Sequence, residues 1–121
     1  MRPRVLLADD HPGMMTALVN LIEPAYEIVG RITDGAQVID AVARLRPDVL
    51  VVDVNMPGLN GIEVCRRTVQ AFPTVAVIVL SADSDAALAS AAREAGSSAF
   101  IAKLSAAEEL PAALAGLRRQ R

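Results

Sequence analysis

Val49-Leu-Val-Val-Asp-Val-Asn-Met-Pro-Gly-Leu-Asn-Gly61 is the stretch that decides how this chain is read. Four apolar residues, Val49 to Val52, run without a charge from Asp48 into a single acid, Asp53, and Pro57, Gly58 and Gly61 then punctuate a loop. An uninterrupted apolar run between turn signals marks a strand buried on both faces; a half-buried strand would alternate. Asp53 therefore stands at the mouth of a buried strand. Alone, such an acid could be a strand end reaching water, so its meaning depends on what collects beside it.

Similar runs recur on either side. Val5-Leu-Leu-Ala8 ends in Asp9-Asp10, Tyr26 to Ile32 carries Ile28, Val29 and Ile32, Val75-Ala-Val-Ile-Val-Leu80 ends at Ser81, and Ala99-Phe-Ile-Ala102 ends at Lys103. Helical patterns fill the gaps. Pro12 suits a first helical position, Met14, Met15, Leu18, Val19, Leu21 and Ile22 supply an apolar face, and Pro24 closes the helix. Asp34 is a candidate N-cap for a helix with Val38, Val42 and Leu45 on one face, ended by Pro47. Asn60 and Glu63 have the spacing of a capping box, and Ile62, Cys65, Val69 and Phe72 share a face before Pro73. Asp83 or Ser84 caps an alanine-rich helix that Gly96 terminates, with Leu88 as its main anchor, so this helix is expected to be loosely held. Ser105 and Glu108 make a second capping box ahead of Leu110, Leu114 and Leu117. Pro111 leaves two readings open, a helix that starts after Ser105 or one kinked at the proline. Five βα repeats with non-alternating strands predict an α/β fold, a parallel sheet with helices on both faces.

The 121 residues make one domain, with about 118–121 as a tail or the start of a linker. A net charge of −2 gives no general attraction to nucleic acid or anionic membranes, and no apolar run is long enough to cross a bilayer. One cysteine, Cys65, rules out an intrachain disulfide and reads as a small buried hydrophobe in a reducing, cytoplasmic setting. Of the twelve basic residues only Lys103 is a lysine.

In an open parallel sheet, ligands bind beyond the carboxyl ends of the strands. Those ends carry Asp9, Asp10, Asp53, Ser81 and Lys103. Three close acids repel one another unless a cation intervenes, and an all-oxygen cluster with room for water suits Mg²⁺. A phosphoryl group there would meet metal, ammonium and hydroxyl together. The chain lacks both the Gly-x-Gly-x-x-Gly and the Gly-x4-Gly-Lys-Ser/Thr signatures, which excludes the usual dinucleotide and P-loop sites. A strand-end Asp phosphatase of the haloacid-dehalogenase type would want a second acid where Asn55 stands.

Leu7-Ala-Asp-Asp-His-Pro12, Asp53-Val-Asn-Met-Pro-Gly-Leu-Asn-Gly61, Val79-Leu-Ser-Ala82 and Phe100-Ile-Ala-Lys103 follow one another in order. With these four segments the chain, from Val5 to about Leu117, resembles the response-regulator receiver domain of two-component signalling. The Asp-Asp-His-Pro start is most similar to receivers attached to helix-turn-helix DNA-binding output domains. The resemblance implies a flavodoxin-like three-layer (βα)5 sandwich with strand order 2-1-3-4-5. It implies that Asp53 accepts a phosphoryl group from a sensor histidine kinase, and that Asp10, Asp53 and the backbone carbonyl of Asn55 hold Mg²⁺ or Mn²⁺, Asp9 acting through water. Lys103 would neutralise the carboxylate and then the phosphoryl group, and Ser81 and Phe100 would move together as a switch. Beyond this self-phosphorylation and its reversal no enzyme activity is expected. Phosphorylation would change a partner-binding or homodimer face, helices one and five or helices four and five; DNA would be reached only through an output domain outside this chain. Leu104 departs from the proline common in the family, so the loop after Lys103 is expected to differ. Two other readings are a receiver-fold interaction module that is never phosphorylated and a metal-dependent phosphatase. His11 reads as a loop residue beside the site, ordinary core is the lesser reading of Phe100, and Arg118, Arg119 and Arg121 read as a helix C-terminus or the start of a linker.

Overall fold

The protein is described by a computed structural model covering residues 2–83 and 85–119. In chain order the elements are β1 (Arg4–Ala8), α1 (Pro12–Ile22), β2 (Glu27–Ile32), α2 (Val38–Leu45), β3 (Val49–Asp53), α3 (Gly61–Ala71), β4 (Ala76–Ser81), α4 (Ala86–Glu94), β5 (Ala99–Ala102) and α5 (Ala106–Arg119). The five strands form one parallel sheet in the order β2-β1-β3-β4-β5. All five residues of β3 are buried, as its unbroken apolar run requires. Among the described residues no helix is long and apolar enough to cross a membrane.

The two faces of the sheet carry separate cores. Leu6, Leu50, Val52, Val77 and Val79 pack with Val38, Val42, Val64 and Cys65 under α2 and α3, with Ala92 of α4. Val5, Leu7, Val49, Val51, Ile78, Leu80 and Ile101 pack with Leu18, Ile22, Leu110 and Leu114 under α1 and α5. Side chains of successive strand residues point to opposite faces, which sorts each run into these two sets. Cys65 is fully buried and its thiol is pushed up to about 11 by burial, as a packing residue should be.

Several helix ends differ from the sequence reading. Asp34 caps a 3₁₀ turn, Gly35–Gln37, by accepting from the Ala36 N–H, and α2 starts only at Val38. Asn60 does cap α3, accepting from the N–H groups of Ile62 and Glu63. Glu63 does not return the bond; its carboxylate is taken by Arg66 and Arg67 on the following turn. Asp85 caps α4 in place of Asp83, because it directly precedes the first alanine of the helix; Ser84 lies outside the described residues. Gly96, at φ +98, closes α4 with paired bonds from Gly96 N–H to the Arg93 carbonyl and from Ser97 N–H to the Ala92 carbonyl.

A 3₁₀ turn, Lys103–Ser105, runs directly into α5, so Ser105 forms no capping box; Leu104 on this turn is 99% exposed. The helix continues without a break through Pro111. The carbonyl that the proline leaves unpaired, four residues back at Ala107, belongs to an exposed residue with water at hand. At the far end of α5 the Arg118 guanidinium lies 5.4 Å from the centroid of the Tyr26 ring, tying the helix to the start of β2; Arg121 lies outside the described residues.

Candidate functional site

Asp9 follows β1, Asp53 ends β3 and Lys103 follows β5. Alternation puts all three on the α1/α5 side, continuing the rows Val5–Leu7, Val49–Val51 and Ile101. Lys103 Nζ lies 3.1 Å from Asp9 Oδ2 and 3.1 Å from Asp53 Oδ2. The two acids are 0% and 2% exposed. The other Asp9 oxygen accepts the His11 backbone N–H at 2.9 Å, while the His11 side chain is exposed. No residue pattern announces that backbone role.

Burial pushes the Asp53 carboxyl above its ordinary 3.8; the Lys103 hydrogen bond pulls against this, the charge of Asp9 pushes upward again, and the net direction is up. Burial works against the charge on Lys103, but its hydrogen bonds to Asp9 and Asp53 prevail and raise its pKa above 10.5. An acid whose folded pKa exceeds its unfolded one favours folding below the unfolded value and loses that advantage as pH rises through the folded value. The Asp53 charge is therefore a stability cost at neutral pH. Asp53→Asn is expected to melt higher than the wild type at pH 7 in EDTA, by roughly 3–5 °C if the relief is about 1 kcal/mol, with the gap closing towards pH 4. Thermal unfolding at the two pH values checks this, and a lower melting point for the variant at pH 7 contradicts it.

Asp10 is exposed, yet a carboxylate oxygen from each of Asp9, Asp10 and Asp53 lies within 4.8 Å of the other two. Among the described residues Asp53 Oδ1 is buried without a well-formed hydrogen bond, although the Asn55 backbone N–H favours the charged carboxylate. A buried carboxylate oxygen without a well-formed hydrogen bond is costly, and three carboxylates against one ammonium leave two negative charges. A divalent cation with oxygen preference answers both needs, so the residues fit Mg²⁺. Asn55 follows two residues after Asp53, exposed on the β3–α3 loop.

Ser81 ends β4 and is fully buried, its Oγ accepting the Asp83 N–H at 3.1 Å. Phe100 is half-buried and packs on the α2/α3 core, with Val79 beside it in register. These two therefore lie on the opposite side of the sheet plane from the Asp9–Asp53–Lys103 cluster.

Gly58 and Gly61 were legible as turn residues, but the close backbone approaches at Gly61 and Gly35 were not. A Cβ on Gly61 would stand 2.1 Å from the Asp53 carbonyl oxygen, and one on Gly35 would stand 1.8 Å from that of Leu59. Gly61 carried a turn signal, but its contact with Asp53 joins positions that only the fold brings together.

The family described as "Response regulator receiver domain" matches residues 5–115. The DNA-binding response regulator MtrA of Mycolicibacterium smegmatis is 35% identical over 120 residues, 98% of this chain and 52% of that protein. The chemotaxis protein CheY of Thermotoga maritima is 35% identical over 104 residues, 85% of this chain and 87% of that protein. The solved receiver domain of the response regulator NarL from Mycobacterium tuberculosis superposes with a TM-score of 0.90 at 28% identity, covering 99% of this chain and 98% of that one. The chain spans about half the length of its DNA-binding relative MtrA.

Proposed function

The chain belongs to the response regulator receiver domain family, and from that premise we propose that Asp53 accepts a phosphoryl group from a sensor histidine kinase in a Mg²⁺-dependent reaction. A carboxylate oxygen of Asp53 forms the new bond to phosphorus, the bond from phosphorus to the donor imidazole breaks, and the imidazole leaves with that electron pair and takes up a proton. The observation that carries the reading is Lys103 Nζ at 3.1 Å from both buried carboxylates, beside an Asp53 Oδ1 that lacks a well-formed hydrogen bond.

Asp10, Asp53 and the Asn55 carbonyl would hold the ion, with Asp9 acting through water. Mg²⁺ bound there supplies positive charge to the phosphoryl oxygens. Lys103 offers its ammonium to the same oxygens and fixes the Asp53 carboxylate in place beforehand. Ser81 accepts from the Asp83 N–H and so keeps its own O–H proton to donate to the phosphoryl group, and Phe100 follows on the same side of the sheet. The added charge, about −1.5 to −2, thereby alters the α4–β5 face. We take residues 1–121 as a single receiver that governs transcription through a DNA-binding output domain, and phosphorylation as the trigger for homodimer formation.

Incubation with acetyl phosphate and Mg²⁺, read by intact mass, is expected to give one phosphoryl adduct on the wild type and none on Asp53→Asn or in EDTA. Absence of an adduct on the wild type, or the same adduct on the variant, overturns the reading. Sustained release of phosphate from an added phosphoester would point to a phosphatase instead.

A further inference from the structure

The β3–α3 loop is fixed at both of its ends. At its start the Val54 N–H donates to the Leu80 carbonyl at 2.8 Å, and the Gly61 N–H closes back onto the Val54 carbonyl at 2.9 Å. Its far side rests on the turn after β2. The Gly35 N–H donates to the Pro57 carbonyl at 2.8 Å. The two backbones meet so closely that a Cβ on Gly35 would stand 1.8 Å from the Leu59 carbonyl oxygen. Asp34 shapes this turn by accepting from the Ala36 N–H at 2.8 Å. The same Asp34 oxygen sits where a Cβ on Gly58, at φ +84, would come within 2.2 Å. Asn55 lies between the pin at Val54 and the brace at Pro57–Leu59.

We infer that the Asp34–Ala36 turn positions the Asn55 carbonyl, and that Asp34 and Gly35 are positioning residues for the divalent cation although neither belongs to the acid cluster. The inference rests on the reading of Asp10, Asp53 and the Asn55 carbonyl as the cation's ligands. A carbonyl on a loop of this length is held only as well as the loop's supports. Groups bonded to a metal's ligands typically govern its affinity by about 10–100-fold, and the turn, which acts one link further back through Pro57 and Leu59, belongs at the low end of that range. A side chain at position 35 must push turn and loop apart, since its nearest neighbours are the backbone oxygen, carbon and nitrogen of Leu59.

The test is a titration of the full chain with Mg²⁺ alone, followed by amide chemical shifts. Gly35→Ala is expected to bind Mg²⁺ roughly tenfold more weakly than the wild type. Gly30→Ala serves as the control. Its Cβ would crowd the side chains of Leu45 and Leu6, both at 2.9 Å, on the α2 side of β2. It is expected to lose stability while keeping wild-type affinity, which separates positioning from mere loss of stability. Asp34→Ala is expected to weaken binding in the same direction, and Asp34→Asn, whose side-chain carbonyl can still accept from Ala36, to restore it. If Gly35→Ala fails to fold, the Asp34 pair decides. Wild-type affinity in a folded Gly35→Ala, or in Asp34→Ala, overturns the inference while leaving the cation site standing. No Mg²⁺ binding by the wild type overturns the site itself, and the inference with it.

Discussion

Lys103→Ala is expected to lower the stability of the domain by about 3–5 kcal/mol at pH 7 in EDTA, the cost of stripping the partner from a buried ion pair. Lys103 is 17% exposed by its side chain, and it is shared by two carboxylates that are almost completely buried. Its removal leaves Asp9 and Asp53 side by side without an ammonium. Folded domains of this size hold only about 5–15 kcal/mol in total, so the variant stands close to unfolding.

The pH dependence identifies the cause. In the wild type the raised pKa of Lys103 keeps its contribution in place at neutral pH. That contribution is lost on the alkaline side as pH rises past 10.5 and through the folded value, and fades on the acid side as its carboxylate partners protonate. In the variant Asp53 loses the ammonium that holds its pKa down and takes up a proton more readily, so the deficit should shrink as pH falls from 7 to 5. Mg²⁺ should recover part of it by supplying the missing positive charge. Urea unfolding, with the midpoint shifted at unchanged slope, measures the effect. A deficit near the roughly 1 kcal/mol of an exposed ion pair, or one that does not change with pH, would show that Lys103 neutralises neither acid.

The second large effect is expected at Gly61. A methyl group there meets backbone atoms on three counts: the Asp53 oxygen at 2.1 Å, its carbonyl carbon at 2.7 Å and the Val54 Cα at 3.0 Å. None of these can rotate away, and Val54 is itself tied to Leu80 and to Gly61. Overpacking costs typically 1–3 kcal/mol, and a contact with central-strand backbone belongs at the upper end. Gly61→Ala is therefore expected to lose about 3 kcal/mol, roughly 10 °C in melting temperature. Gly13→Ala gives the contrast. Gly13 lies in α1 with nothing within 4 Å of its Cβ position, so alanine should stabilise there by about 0.5–1 kcal/mol. Two substitutions of the same chemistry should move the melting point in opposite directions, and equal shifts would contradict the close packing of Gly61 on β3.

The strands were legible because burial on both faces leaves unbroken runs such as Val49–Val52 and Val75–Leu80, and the shifts at their ends are single residues. The strand order and the meeting of Asp9, Asp10, Asp53 and Lys103 followed from the resemblance and from the rule that strand ends face one edge. Caps were harder. Asp83, Ser84 and Asp85 offer the same oxygen within three residues, and only the start of the α4 backbone chooses among them. Glu63 had the right spacing for a capping box, but two arginines one turn on compete for its carboxylate. The brace of Gly35 on Leu59 was invisible, since it depends on where two loops far apart in sequence come to lie.

The division of the sheet into two cores has a consequence for how a signal could travel. Asp53 and Lys103 belong to the layer of α1 and α5, while Ser81 and Phe100 belong to the layer of α2, α3 and α4. Between them lies the sheet itself, five hydrogen-bonded strands with an apolar layer on either face. The two layers meet along the carboxyl rim, and Ser81 with its bond from Asp83 stands on that rim. On the proposed function, a phosphoryl group on Asp53 would be read by Ser81 and Phe100 around that rim rather than through the sheet.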